Sequence, residues 1–451
     1  MLQKNQVIDL SCTALGAEFE GICRHEGQVI FVRGALPGET LRARIIKVTK
    51  KYAVGRLEQT ITFSQERAKP PCPYYPRCGG CTAQHLAYDA TLGHKRQQVT
   101  DCLERIGGIA TPQVHEVLGM VSPWRYRNKG AFPVGGTLGN PTIGIYAARS
   151  HDIVDAPRGC LLQTEQSDAL TSAVRRWMVQ YRIPPYNEIS HTGLIRHIVT
   201  REAKDATSML ILVANGKQVP HADELIALAA EATPGLRSII LSINTQRTNV
   251  ILGDAFRTLW GDDTLTDEIA GFRMQVSPRS FFQVNRPQAE RLYAQAIAYA
   301  GLTGQERVWD VYCGAGSITL PLARHAQHVT GVEIVEAAVA DARRNAQAAG
   351  VQNVAFLAGA AEALLAGLLE REGPPDVIVL DPPRKGCEPD ALAAIAKAAS
   401  ERIVYVSCNP ATLARDCAVL AESGYAVREV QPVDMFAWTG HVECVTLLTR
   451  E

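Results

Sequence analysis

The last third of the chain holds three short segments whose residue types could run covalent group transfer. Asp310-Val311-Tyr312-Cys313-Gly314-Ala315-Gly316-Ser317 makes a glycine turn, Asp381-Pro382-Pro383-Arg384 sets a carboxylate before a stiff proline pair, and Ser407-Cys408-Asn409-Pro410 presents a thiol among polar neighbours. Each follows an apolar, β-branched run, so all three are expected to leave strand ends on one rim of an open α/β sheet, where such folds bind ligands. The turn contains Gly314 and Gly316 but lacks the third glycine of a pyrophosphate loop. Glu333 stands about 20 residues on, the interval at which an acid meets ribose hydroxyls. Such a loop suits a cofactor without phosphates, S-adenosylmethionine foremost. Cys408 reads as a nucleophile; an unaided thiol is only roughly a few per cent thiolate at neutral pH, so a nearby base or cation is implied. Glu443 opens the final apolar run, where a carboxylate is costly to bury unless it is paired or functional. An antiparallel last strand beside the fifth would bring Glu443 and Cys408 to one cavity; otherwise Glu443 is an edge charge that discourages sheet pairing.

A second reactive cluster lies upstream. The run Lys69-Pro70-Pro71-Cys72-Pro73-Tyr74-Tyr75-Pro76-Arg77-Cys78-Gly79-Gly80-Cys81 favours a compact knuckle, and three thiolates can converge in it. Among the 12 cysteines, Cys12, Cys23, Cys102, Cys313, Cys387, Cys417 and Cys444 are expected as small buried hydrophobes. The amino terminus has no basic stretch leading into an apolar core, and no apolar run approaches the roughly 18 residues of a membrane span. A cytoplasmic enzyme is expected, with cysteines used for metal binding or catalysis and not for disulfides. The 46 basic and 46 acidic side chains balance, yet residues 1–130 carry 18 against 11 and the remainder 28 against 35. The amino-terminal excess suits a partner with a phosphate backbone, or is merely a solvated basic face.

The elements that must position these residues follow from periodicity. Residues 5–60 alternate with period two between spaced glycines and prolines, as in a small oligonucleotide-binding type barrel. Arg42, Arg44, Lys47, Lys50, Lys51 and Arg56 crowd one of its hairpins, with Phe31 and Tyr52 as possible stacking rings. A helix is expected from about Leu86 to Ile106. Residues 111–275 read as a mixed domain, with strands GLIRHIVTRE, SMLILVANG, LRSIILSINT and NVILGD and a helix HADELIALAAEA. From about Val276, seven strands alternate with Ala-rich helices: RVWDVY, HVTGVEI, NVAFLAG, DVIVLDPP, RIVYVSC, YAVREVQPVDMF and HVECVTLLTR. That is a doubly wound sheet with a returning hairpin. The boundaries are 1–62 for the barrel, 63–110 for knuckle and helix, 111–275 for the central α/β domain and 276–451 for the catalytic domain.

These motifs resemble the RNA uracil-5-methyltransferase family, in particular its branch with a TRAM barrel and an iron–sulfur knuckle that methylates 23S ribosomal RNA. The resemblance spans essentially the whole chain. It rests on Cys72-x5-Cys78-x2-Cys81 with a distant Cys160, Phe281-Phe282-Gln283-Val284-Asn285, the three segments above, and Asp434-Met435-Phe436 leading to His441-Val442-Glu443. It implies a Rossmann-like class I methyltransferase domain with an antiparallel last strand. It also implies Cys408 as nucleophile, Glu443 as base, and Gln283, Tyr312, Gly314, Gly316, Ser317, Glu333 and Asp381 around S-adenosylmethionine and the base. Cys72, Cys78, Cys81 and Cys160 would hold a [4Fe–4S] cluster, although spacing alone does not separate that from four-cysteine zinc. Ala360 stands where relatives carry Asp or Asn near the adenine, so that hydrogen bond is either missing or taken over by Glu362, and Ala437 replaces a common Pro before Trp438-Thr439-Gly440.

The implied chemistry accounts for the residues. Uracil C5 is a poor nucleophile until a thiolate adds to C6, and a base must then take the C5 proton. The target must also be flipped from its stack. A transfer RNA substrate, an RNA cytosine-5-methyltransferase and an RNA-binding assembly factor with an idle site are the alternatives; a radical adenosylmethionine enzyme is disfavoured by the knuckle spacing. A monomer is the default.

Overall fold

The computed structural model describes residues 2–451. Strands β1 (Val7–Leu15), β2 (Glu20–His25), β3 (Gln28–Arg33), β4 (Thr40–Val48) and β5 (Tyr52–Thr62) close into a barrel in the order β1-β2-β3-β5-β4. Alternate residues such as Leu10, Cys12, Ile30, Val32, Leu41 and Ala43 fill its interior, as the period-two pattern requires. The basic hairpin is partly spent on the barrel itself: Arg42 pairs with Asp9 at 2.8 Å, and Arg44 and Arg56 reach Glu58 at 2.6 and 3.4 Å. Phe31 and Tyr52 pack edge to face on each other, 5.6 Å between centroids. Glu39, fully buried, takes two hydrogen bonds from Arg67 and so fastens the barrel to the knuckle. At the far end the β1–β2 turn sits on the loop before the last strand. The Ala17 carbonyl lies 1.8 Å from where a Cβ on Gly440 would stand, so only glycine permits this approach.

The knuckle runs into helix α1 (Tyr88–Arg105), close to the expected span. The central domain is a seven-stranded sheet in the order β12-β11-β10-β9-β6-β7-β8. Its strands are β6 (Lys129–Thr137), β7 (Asn140–Tyr146), β8 (Ile153–Asp155), β9 (Ile195–Glu202), β10 (Ser208–Ala214), β11 (Leu236–Ile243) and β12 (Ala255–Gly261). Helices α2 (Glu165–Gln180) and α3 (Ala222–Ala232) cover one face. The expected strand at NVILGD is instead a loop. Its backbone is taken by side chains: Asn244 donates to the Val250 and Ile251 carbonyls at 2.8 and 3.0 Å, and buried Arg196 to those of Gln246 and Thr248. A hairpin, β13 (Leu265–Ile269) and β14 (Phe272–Val276), then packs Ile269, Phe272 and Met274 into the catalytic core.

The catalytic sheet has β15 (Arg307–Val311), β16 (His328–Glu333), β17 (Val354–Ala358), β18 (Val377–Leu380), β19 (Arg402–Ser407), β20 (Tyr425–Val433) and β21 (Glu443–Arg450). The order is β17-β16-β15-β18-β19-β21-β20, parallel through β19, with β21 antiparallel to both its neighbours. Helices α4 (Arg286–Ala300), α5 (Thr319–Ala323), α6 (Glu336–Ala348), α7 (Ala361–Glu372), α8 (Pro389–Ala398) and α9 (Pro410–Glu422) supply the connections and layers. All seven expected strands are present, and the chain reverses direction in the sheet between β15 and β18, the place where doubly wound sheets open a crevice. Among the described residues no helix is long and apolar enough to cross a membrane.

Candidate active site

The strand ends at that crevice line a cleft of ≈ 1450 Å³. At its first corner β15 delivers Asp310, fully buried, whose carboxylate accepts from Thr319 at 2.5 Å. Burial, reinforced by Glu333, pushes it up to about 7 against the pull of that hydrogen bond. The turn beyond it has positive φ at Tyr312 (72°), Gly314 (54°) and Gly316 (86°), which bends the backbone so that the Gly314 amide meets Glu333 Oε2 at 3.1 Å. The other Glu333 oxygen takes the Val335 amide at 2.8 Å, so this acid is oriented by two backbone donors. Ser317 shares a 3.1 Å hydrogen bond with buried Tyr293, and the Gln283 carbonyl accepts from Asn128 at 3.0 Å. Gln283, Tyr312, Gly314, Ser317, Glu333 and Asp381 all line the cleft. Gly316 does not; it lies behind the turn, against Phe356 and Ala342. Ala360 and Glu362 also face the cleft.

At the other corner Ser407 pairs with Cys444, which sets Cys408, the next residue, beside Glu443 at the start of β21. Both side chains line the same cleft, together with Asp381. Asn409 leaves the strand and caps α9 by accepting from the Ala411 amide at 3.1 Å, with Pro410 in the first helical turn. The thiol of Cys408 is pushed up to about 11 by burial, then by Glu443 and Asp381, while Arg384 works the opposite way. Burial also lifts Glu443 to about 8, helped by Asp381, and lifts Asp381 to about 7, helped by Asp310. Among the described residues neither carboxyl group has a hydrogen-bond partner, although Glu443 is only 7% exposed. Both face the cleft, where water or an entering group with donors can meet them. Arg384 reaches across to His441 at 3.4 Å, and its own loop is pinned to α9: Asn409 and Thr412 donate to the Arg384 carbonyl, and Asp416 takes the Cys387 amide at 2.9 Å.

A family model described as tRNA (uracil-5-)-methyltransferase matches residues 262–451, and one for the TRAM domain matches residues 2–57. An uncharacterized RNA methyltransferase of Clostridium acetobutylicum is 45% identical over 100% of this chain and 98% of its own length. One from Halalkalibacterium halodurans is 44% identical over 99% and 98%. The chain belongs to the RNA uracil-5-methyltransferase family. Among solved structures, the tRNA (uracil-54, C5)-methyltransferase of Pyrococcus abyssi in complex with S-adenosyl-L-homocysteine aligns with a TM-score of 0.79 at 26% identity, over 98% of this chain and 100% of that one. Membership carries S-adenosylmethionine as methyl source and RNA as substrate class.

In this member of the family Cys81 and Cys160 pack into one cluster. Burial pushes the Cys81 thiol up to about 12 against a hydrogen bond with Gln84, with smaller contributions from Cys160, Cys78 and Cys72. Cys160 arrives from the loop after β8, its amide held by Asp168 at 2.9 Å. Among the described residues no three His, Cys, Asp or Glu side chains close around a point that would hold one metal ion. The cysteines abut an aromatic cluster in which Trp438 stacks on Trp124 at 4.6 Å, and the Trp438 carbonyl takes the Thr82 and Ala83 amides. Two positions escaped sequence reasoning. Lys95 on α1, fully buried, donates to Asp434 at 2.6 Å and to the Phe436 carbonyl at 3.1 Å, anchoring the segment that leads to Glu443. Arg127 lies over the Phe436 ring at 5.6 Å inside the cleft. Lys95 falls on the same i,i+4 row as Val99 and Leu103, and Arg127 lies in a run alternating aromatic and basic residues; those were the available signals.

Proposed function

We propose that the protein methylates C5 of a uridine in 23S ribosomal RNA through a covalent bond between Cys408 and C6. The reading is carried by one observation: Cys408, Glu443 and Asp381 line a single cleft. The Cys408 thiolate adds to C6 and pushes electrons onto C5, which becomes able to accept the methyl group. S-adenosylmethionine supplies that methyl and a sulfonium charge. Glu443 in its ionised form, made a stronger base by burial, then takes the C5 proton, and the returning electrons expel the thiolate. Asp381 is placed to hold the ring or the cofactor while both steps occur. Arg384 favours the thiolate that burial otherwise disfavours. Glu443→Gln is expected to accumulate an RNA–protein adduct that survives denaturing gels, and Cys408→Ala to transfer no methyl while binding RNA within a few fold. Full turnover by either variant refutes the assignment.

Four thiolates from Cys72, Cys78, Cys81 and Cys160 would hold a [4Fe–4S] cluster. Iron and sulfide analysis of anaerobically purified protein tests this; zinc alone refutes it. The choice of 23S RNA rests on the pairing of knuckle and TRAM barrel. A transfer RNA target is the second reading, favoured by the similarity to the archaeal tRNA enzyme. Mapping 5-methyluridine in ribosomal and transfer RNA from cells with and without the gene decides between them.

A further inference from the structure

A second hollow, ≈ 500 Å³, opens on the face of the central sheet that α2 and α3 leave uncovered. Its size lies within the range that buries a small organic group, roughly 300–1,000 Å³. Ala131 and Pro133 on β6 and His197 on β9 form its floor; Pro133 and His197 are direct cross-strand partners and share that face. Gly79 of the knuckle and Tyr146 at the end of β7 make one wall, joined by a 2.9 Å hydrogen bond from the Gly79 amide to the Tyr146 carbonyl. The Tyr146 ring is fixed, its hydroxyl donating to Glu188 at 2.8 Å and its edge meeting His151 at 5.8 Å. Exposed Arg149 stands on the rim.

Two observations point to a ligand. His197 lines the hollow with no partner for either ring nitrogen among the described residues; Nδ1 is buried, so it is the other nitrogen that is left open to an incoming polar edge. Burial also pushes this imidazole down to about 4, so it is neutral near pH 7 and can meet an uncharged hydrogen-bonding group. The second observation is the loop at residues 249–254. Val250 and Leu252 line the active-site cleft, whereas Ile251 between them lines the hollow. The two cavities therefore share a thin partition, with Val250 64% exposed at its crest.

We propose that the hollow receives a second extruded nucleotide of the same RNA strand, its base packed between Tyr146 and Ile251 with one edge on His197, and its phosphate at Arg149. A strand whose target base enters the cleft would cross the Val250 crest and seat a neighbour on the other side. The proposal rests on RNA being the substrate and is independent of which RNA it is.

Ala131→Phe fills the hollow from an exposed strand position, and His197→Phe removes the polar edge that His197→Gln retains. With total RNA from cells lacking the gene as probe, the two Phe variants are expected to raise the RNA KM about tenfold, as loss of one stacked base does. The kcat and the S-adenosylmethionine KM stay within about twofold in that case, and His197→Gln recovers most of the RNA KM. Ultraviolet crosslinking of the same RNA should label the peptide holding Tyr146 and His151 in the wild type and not in Ala131→Phe. An unchanged RNA KM in Ala131→Phe, or no crosslink to that peptide, overturns the proposal. Crosslinking there by a wild-type protein that transfers no methyl would instead refute the enzymatic reading and leave the hollow's role standing.

Discussion

Replacing Lys95 by Met tests how the helix behind the knuckle holds the catalytic loop. Lys95 and Asp434 are both fully buried, their charges 2.6 Å apart, and the ammonium also serves the Phe436 carbonyl at 3.1 Å. Burial alone drives the Lys95 ammonium down, and Asp434 opposes that. Met retains the length of the side chain, so the change removes charge and donors without opening a large void. What remains is a buried carboxylate whose other side-chain donor among the described residues is the Tyr88 hydroxyl at 2.7 Å. Stranding one partner of a buried pair costs about 3–5 kcal/mol. For a unit of the catalytic domain's size that is a fall in melting temperature of about 10 °C. Urea unfolding and thermal melts followed by circular dichroism measure it. The pair itself has little intrinsic worth by the same reasoning, since two solvated ions were brought out of water to make it. Lys95→Met combined with Asp434→Leu should therefore recover most of the loss, to within about 1–2 kcal/mol of wild type. A single variant less than about 1 kcal/mol weaker, or a double variant whose losses simply add, refutes the account.

Further outcomes follow from the same geometry. Because burial raises Glu443 from an ordinary 4.5 to about 8, its protonated form stabilises the fold: the contribution is complete below about pH 4.5 and is lost as pH rises through about 8. Melting temperatures of wild type and Glu443→Gln should diverge across that window, the wild type falling faster; parallel curves would show the carboxyl to be solvated. Glu333→Gln removes the charge that orients the Gly314 and Val335 amides, and calorimetry should show S-adenosylmethionine affinity reduced about tenfold with RNA binding intact. Asp416→Leu leaves the Cys387 amide without an acceptor and the Tyr405 hydroxyl with only the Cys387 sulfur at 3.6 Å beneath the Arg384 loop, so stability should fall by about 2–4 kcal/mol and kcat with it. Unfolding curves and steady-state kinetics would reveal a neutral effect that contradicts this.

The catalytic domain was legible because its strands are long apolar runs ended by glycine, proline or a polar residue, and each cofactor-side residue lies within a few positions of such an end. The register of β21 against β19 followed once the last strand was taken as antiparallel. The loop at 249–254 was not legible. Its apolar residues face two different cavities, and its Val250 and Ile251 carbonyls are satisfied by Asn244 while Arg196 holds those of Gln246 and Thr248 just before it, a reach no local pattern discloses. Helix α2 carries an N-cap, Thr164, accepting from the Ser167 amide, yet its Arg-Arg and Gln residues diluted the apolar face that would have marked it. Lys95 and Asp434, 339 positions apart, are the extreme case: a lysine on a helix is ordinarily solvated, and only the third dimension supplies its partner.

Gly440 carries a wider implication. Since its Cα abuts the Ala17 carbonyl, the amino-terminal barrel behaves as a gauge block clamped to the reaction chamber, not as a bait trailing on a flexible line. Any RNA gripped by the barrel would be presented at a fixed offset from Cys408, and a barrel grafted from another protein would lose that calibration unless its own first turn could seat against a bare glycine.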